Sequence, residues 1–213
     1  MIVTPCALVG VDLHRGHLDP AVATMPVPAD QATALLARTI PAFRAFREAG
    51  VPIIHVVTEY HTPEEIRSNP FWVSRQSQSR AKAMEHNLSG SAGPEVMEGL
   101  QEKGDYLVSH KKRYSAFLHT GLELLLRSLN VFTVFLAGVN TNSCILATAF
   151  EAVNRDFATV VLQDCVDSMD GEEAHRQALH LISICLGQVM TSEDALRDLS
   201  AAGVQRAGVP APR

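Results

Sequence analysis

The sequence lacks the features that mark several large classes of protein. Its four cysteines, at positions 6, 144, 165 and 185, form no CxxC pair and fall well short of a disulfide scaffold, so a reducing compartment is expected. No apolar run approaches the roughly 18 residues needed to span a membrane. The opening MIVTPCALVGV also carries neither the charged region nor the cleavage site of a secretory signal. A soluble cytoplasmic protein with no membrane partner is expected. Basic residues are few and scattered: 18 Lys and Arg stand against 23 Asp and Glu, a net charge of −5, so there is no electrostatic footprint for nucleic acid. Neither GxGxxG nor GxxxxGK[ST] occurs, which argues against dinucleotide or nucleoside-triphosphate chemistry. No Pro/Gly/Ser-rich linker and no internal repeat divides the chain, so residues 1–213 read as one domain.

What is present is an ordinary globular composition, 46% hydrophobic and 19% charged, able to bury a sizeable core. The chain is organised around Phe132 to Arg155. Phe132–Val139 is a nearly unbroken apolar run rich in β-branched and aromatic residues, the pattern of a strand buried on both faces of a parallel sheet. After the polar turn Asn140–Ser143, residues Ile145, Leu146, Ala149, Phe150 and Val153 form one stripe of a helix, with Asn142 or Ser143 as candidate cap. Cys144 therefore sits at a helix start, where unpaired N–H groups favour the thiolate, and outside the carboxyl end of a strand, where open α/β sheets place their sites. Both observations favour a nucleophile over a small packing residue.

Five further strands are expected: residues 6–12 ending in Asp12, 52–58, 105–110, 158–163 ending at Asp164, and 188–190. Helices are expected from Asp30 to Gly50 with a kink at Pro41, over residues 94–102, after a Thr120 cap, and over residues 172–186. Six strands alternating with helices predict a three-layer α/β/α sandwich around a six-stranded parallel sheet with right-handed crossovers. Asp12 emerges at a strand end, where a solvated carboxylate and a functional one are equally good readings. His55 reads as a packed core histidine, and Lys111, Lys112 and Arg113 as a solvated cluster. Cys6, Cys165 and Cys185 lie in or beside apolar segments and are expected to be buried. Residues 60–104 exceed an ordinary connection, so something functional or interfacial is expected there. That segment holds Trp72 beside Phe71, which could cap a pocket, meet a partner subunit or simply pack, and the polar stretch SRQSQSRAK.

Taken together, Asp12, Lys111 in KKRYSAF and Cys144 in GVNTNSC resemble the isochorismatase-like cysteine hydrolase family, over roughly residues 5–195. The resemblance implies Cys144 as nucleophile, Asp12 as general base and Lys111 as the cation holding both in their charged forms. It also implies a cis peptide at Val139–Asn140 and an oxyanion hole from the N–H groups of Asn140 and Cys144. Many members carry Gln and Phe two and five residues after the aspartate; here His14 and His17 stand there, making the pocket wall more polar. Candidate substrate contacts are His14, His17, Tyr60 and Trp72. Nicotinamidases share an Asp-x-His metal motif, whose nearest match is Glu59-Tyr60-His61 with no His close behind, so neither metal nor cofactor is expected. The expected substrate is a small amide or ureido compound, and a homo-oligomer, dimer or tetramer, is expected. The alternatives are vinyl-ether hydrolysis, which needs no thiol, and a catalytically silent binding subunit on the same fold.

Overall fold

A computed structural model describes residues 2–74 and 82–201. Six strands make one sheet: β1 (Cys6–Val11), β2 (Ile53–Thr58), β3 (Tyr106–Lys111), β4 (Thr133–Val139), β5 (Ala158–Asp167) and β6 (Gln188–Met190). Their order is β3-β2-β1-β4-β5-β6 and every pairing is parallel, as the alternation of strands and helices predicts. β1, β2 and β4 are buried at every residue, which is why they read as continuous apolar runs instead of alternating ones.

The pleat of β1 divides the core. Ala7, Val9 and Val11 face a cluster completed by Leu122 and Leu126 of α5 (Leu122–Ser128), Ile145, Ala149 and Ala152 of the central helix, and Ile182 of α7 (Glu172–Cys185). Cys6 and Leu8 face the opposite cluster, with Leu35, Phe43 and Phe46 of α2 (Ala29–Glu48) and Leu199 of α8 (Ser192–Ala201). Helices thus cover both faces. No helix among the described residues is long and apolar enough to cross a membrane.

Several local expectations are corrected. Residues 94–102 form turns, not a helix, because their backbone pairs elsewhere: Glu95 accepts from the Arg15 N–H, and the Met97 N–H donates to Leu13. β5 runs four residues past Gln163, since an irregularity between its pairings with Leu136 and Gly138 lets it resume against β4. Asp30 does not cap α2 but lies in its first turn, and the helix continues through Pro41. The helix after β4 opens with a π turn, Thr141–Ile145, before α6 (Leu146–Val153). Neither Asn142 nor Ser143 caps it; the Asn142 side chain is engaged with Asp170 and Ser168 instead. Cys185 is exposed on α7, whereas Cys6 and Cys165 are buried as expected. Most of SRQSQSRAK, residues 75–81, lies outside the described residues.

Candidate active site

Three strands of the sheet, β1, β3 and β4, deliver the central groups. Asp12 follows β1 with φ 56°, a left-handed turn that takes the chain out of the sheet, and its side chain is fully buried. Lys111 is brought in by a bulge: Val56 pairs with Val108 but Thr58 pairs with Lys111, so β3 holds one residue more than β2 over that interval. His110, at φ 64°, absorbs the extra residue and points outward, while Lys111 is only 2% exposed. Cys144 stands in the π turn after β4. Immediately before that turn Gly138 has φ 130°, and a Cβ there would overlap the Val11 carbonyl, so β1 and β4 approach closely only because this residue is glycine. The Val139–Asn140 peptide is cis.

The Lys111 ammonium joins the three. Its Nζ donates to Asp12 Oδ2 at 2.6 Å, to Thr58 Oγ1 at 2.9 Å and to Cys144 Sγ at 3.3 Å. Thr58 donates its N–H and hydroxyl to the other carboxylate oxygen, Oδ1, at 3.0 and 2.8 Å. Burial alone would raise the Asp12 carboxyl, but the Lys111 charge and the nearby His14 hold it well below the ordinary range. Burial opposes the Lys111 ammonium too, yet Asp12 and Cys144 outweigh it and raise its pKa. Burial also pushes the Cys144 thiol up to about 12 against the pull of Lys111. This corrects the helix-start argument, since desolvation outweighs the backbone N–H field and Cys144 rests as a thiol. The resting cluster is carboxylate, ammonium and thiol, with net charge zero, and Asp12 is a hydrogen-bond partner of the thiol.

These groups open onto one cavity, which Asn140 and Ser143 of the central turn also line. Its walls include His17, Tyr60, Trp72, His86 and Arg113. Trp72, on α4 (Pro70–Ser74), donates its indole N–H to Tyr114 at 2.7 Å and has the Arg113 guanidinium 5.2 Å from its ring centre. Tyr60 is pinned by its hydroxyl to the Lys112 carbonyl. His17 lines the cavity with Nδ1 against the Met25 carbonyl at 2.6 Å, and burial pushes its pKa down to about 3, so it is a neutral ring.

His14 does not line the cavity. It is fully buried behind Asp12, with Nε2 2.9 Å from the Asn87 amide and 3.5 Å from Asp12 Oδ1, so the expected substrate contact is corrected to a supporting position. The basic cluster is not a solvated one either. Lys111 is buried, and Lys112 is half-buried between the Glu59 carbonyl and Glu65 of α3 (Pro63–Arg67). Glu59 and His61 lie at the surface beside His110. Among the described residues, the group whose potential metal ligands converge is a different one, His14, His17 and His86. His55 is a core histidine, bonded to Asp105.

The sequence reading missed Thr58, His86 and Asn87. Thr58 ends β2 beside β1, so the rule that sites gather at carboxyl strand ends could have found it. His86 and Asn87 lie in an irregular stretch with no periodic signal.

A family model for the isochorismatase domain matches residues 6–194. This chain belongs to the isochorismatase family. Across 193 residues it is 28% identical to the maleamate amidohydrolase of Pseudomonas putida, covering 91% of this chain and 86% of that protein. The ureidoacrylate amidohydrolase of Serratia proteamaculans is 27% identical over an alignment of 213 positions, covering 92% and 83%. The crystal structure of N-carbamoylsarcosine amidase from Thermoplasma acidophilum superposes with a TM-score of 0.70 at 25% identity, covering 89% of this chain and 98% of that one.

Proposed function

We propose that this family member is a cysteine-dependent amidohydrolase of small linear amide or carbamoyl compounds. The observation that carries the reading is the single ammonium of Lys111 bonded to both the Asp12 carboxylate and the Cys144 sulfur at the floor of a cavity. The amidohydrolase names of its full-length relatives support the same reaction class.

In this reading the Cys144 thiol attacks the substrate carbonyl carbon as its proton passes to Asp12, forming the C–S bond and a carbonyl oxyanion. The N–H groups of Asn140 and Cys144 hold that oxyanion. Lys111, already 3.3 Å from the sulfur, offsets the negative charge that leaves Asp12 and appears on the thiolate. Asp12 then protonates the departing nitrogen, which would otherwise leave as an amide anion, and the C–N bond breaks. Water, deprotonated by Asp12, cleaves the thioester and restores the thiol. Because Asp12 titrates well below the usual carboxylate range and the thiol near 12, neither group changes form near neutrality. The expected kcat/KM is therefore level from about pH 5 to 8. A limb centred near pH 6.5 would instead point to a histidine in the rate-limiting chemistry.

Ureido and carboxamide groups suit the wall at His17. With Nδ1 held by the Met25 carbonyl, its Nε2 lone pair is left to accept an N–H from substrate. The test is ammonia release from a panel of linear amides and ureides, with trapping of a covalent adduct on Cys144 by mass spectrometry, repeated with His17→Phe. Release of ammonia, an acyl adduct, and a selective loss of ureides in the variant are expected. Turnover only of vinyl ethers, or turnover with no adduct and full activity in Cys144→Ala, would overturn the reading.

A further inference from the structure

His14 and His17, the N-cap and a buried residue of the one-turn helix Arg15–Leu18 after β1, meet His86, from the connection after β2. The three are 0%, 4% and 5% exposed, and their ring centres are 4.7 Å apart for His14–His17 and His17–His86 and 5.6 Å for His14–His86. One ring nitrogen from each lies within 4.8 Å of the other two. On each ring one nitrogen is engaged: His17 Nδ1 with the Met25 carbonyl, His86 Nδ1 with Thr24 Oγ1 at 2.8 Å, and His14 Nε2 with the Asn87 amide. This leaves Nε2 of His17, Nε2 of His86 and Nδ1 of His14. The last is buried with no hydrogen-bond partner, a costly state for a polar atom unless something occupies the space between the rings.

We propose that His14, His17 and His86 bind one divalent transition-metal ion of the zinc and cobalt class, at a site separate from Asp12, Lys111 and Cys144. Three imidazole nitrogens without a carboxylate suit these borderline ions and not magnesium or calcium. Three protein ligands leave a fourth position open, and His17 and His86 also line the cavity, so that position faces substrate space. A carbonyl and a hydroxyl behind His17 and His86 orient those rings as such groups do at metal sites. Ligands about 2.0–2.1 Å from a tetrahedral ion stand roughly 3.3 Å apart, so the rings must draw in by about 1.5 Å at most. His14 and His17 are also nearly parallel, at 15°, so one of them turns on binding. His14 exchanges tautomers. The Asn87 amide donates to its Nε2, which places the imidazole proton on Nδ1. A metal at Nδ1 moves that proton to Nε2, where Asp12 Oδ1, at 3.5 Å, accepts it with no net proton released, and the Asn87 amide gives up its bond to Nε2 while keeping the one to the Thr58 carbonyl.

The test uses the full chain, stripped by chelator and dialysed against cobalt(II). One cobalt per chain, with the intense visible absorption of a tetrahedral site, is expected. His86→Phe and His17→Phe should weaken binding by more than about a hundredfold, because even changes behind the ligands cost roughly 10–100-fold. Cys144→Ala and His110→Ala should bind as the wild type does, which excludes a thiolate site and the surface group around Glu59. If a Phe variant does not fold by circular dichroism, His86→Asn, which keeps a polar side chain, replaces it. Failure of the wild type to retain cobalt, meaning that the space holds only water, overturns the proposal, as does undiminished binding in the His86 variant. The His17 Nε2 lone pair serves a substrate N–H only while the ion is absent, and neither result bears on the Cys144 chemistry, which is read from ammonia release.

Discussion

Asp12, Lys111 and Cys144 reach the cavity from the ends of three strands of one sheet, whereas Tyr60, Trp72 and His86 reach it from the long connection between β2 and β3. The first set is tied by direct bonds to one ammonium and packed against the sheet. The second is aromatic or neutral and hangs from short helices and turns. A sheet end holds reacting groups to within a fraction of an ångström, and a connection can vary its side chains without disturbing them. The division predicts that substitutions at the strand ends act on kcat and those in the connection on KM or selectivity. Four substitutions test it.

The largest effect is expected at Cys144. Replacement by Ala removes the proposed nucleophile, so turnover should fall to background while the melting temperature stays near that of the wild type, since a small apolar residue fills the same buried position. Iodoacetamide should reach buried Cys144 only through the cavity it lines and should not reach buried Cys6 or Cys165, but exposed Cys185 will label too, so the informative signal is substrate protection at Cys144 alone. Turnover surviving in the Ala variant would remove the strand-end set from the chemistry.

Next comes Lys111→Ala. Positioned acid–base groups contribute roughly 10²–10⁴-fold in rate, and kcat/KM should drop within that range, mainly through kcat. The variant also leaves the Asp12 carboxylate buried without its partner, a loss of about 3–5 kcal/mol in stability. A change confined to KM would contradict the assignment.

How far these residues could be read in advance follows from the physics at each one. β1, β2 and β4 are buried on both faces, and such strands announce themselves as apolar runs, so the sheet and the placement of Asp12 and Cys144 at its ends were legible. Lys111 was not legible from composition, which suggested a solvated cluster; only the KKRYSAF motif singled it out. The bulge at His110 that turns it inward has no signature in the run YLVSHK. Thr58 looked like the last residue of a strand, though it makes two bonds to Asp12. His86 and Asn87 were invisible because irregular chain has no period. The thiol was misjudged for a different reason: helix-start fields can be read from a pattern, but burial comes only from the packing.

In the connection, Trp72→Ala removes an aromatic wall that also stacks with Arg113 and bonds Tyr114. Aromatic contacts of this kind are worth about 0.5–1.5 kcal/mol beyond their buried area, so KM should rise by roughly 3–10-fold with kcat nearly unchanged. Steady-state kinetics on the best substrate decides it. A fall in kcat as large as that for Lys111 would mean that the connection takes part in the chemistry.

The smallest effect is expected at the neighbour of the buried lysine. Lys112 begins the segment after β3, and its Nζ donates to the Glu59 carbonyl and to Glu65, both at 2.7 Å, while the ammonium sits 5.5 Å from the Tyr60 ring centre. It fastens α3 to the end of β2 and touches neither Asp12 nor Cys144. An ion pair this accessible to water contributes about 0–1 kcal/mol, so Lys112→Ala should keep kcat/KM within about threefold of the wild type. Any loss should appear in KM, because what loosens is the wall at Tyr60 and not the charged floor. The contrast with Lys111 rests on the one-residue bulge at His110. Deleting His110 should remove the extra residue and leave Lys111 opposite Thr58 in a regular register, so that Lys111 stays the sensitive lysine in that background. Equal losses at both positions in the intact chain would mean that the bulge does not set which lysine reaches the carboxylate.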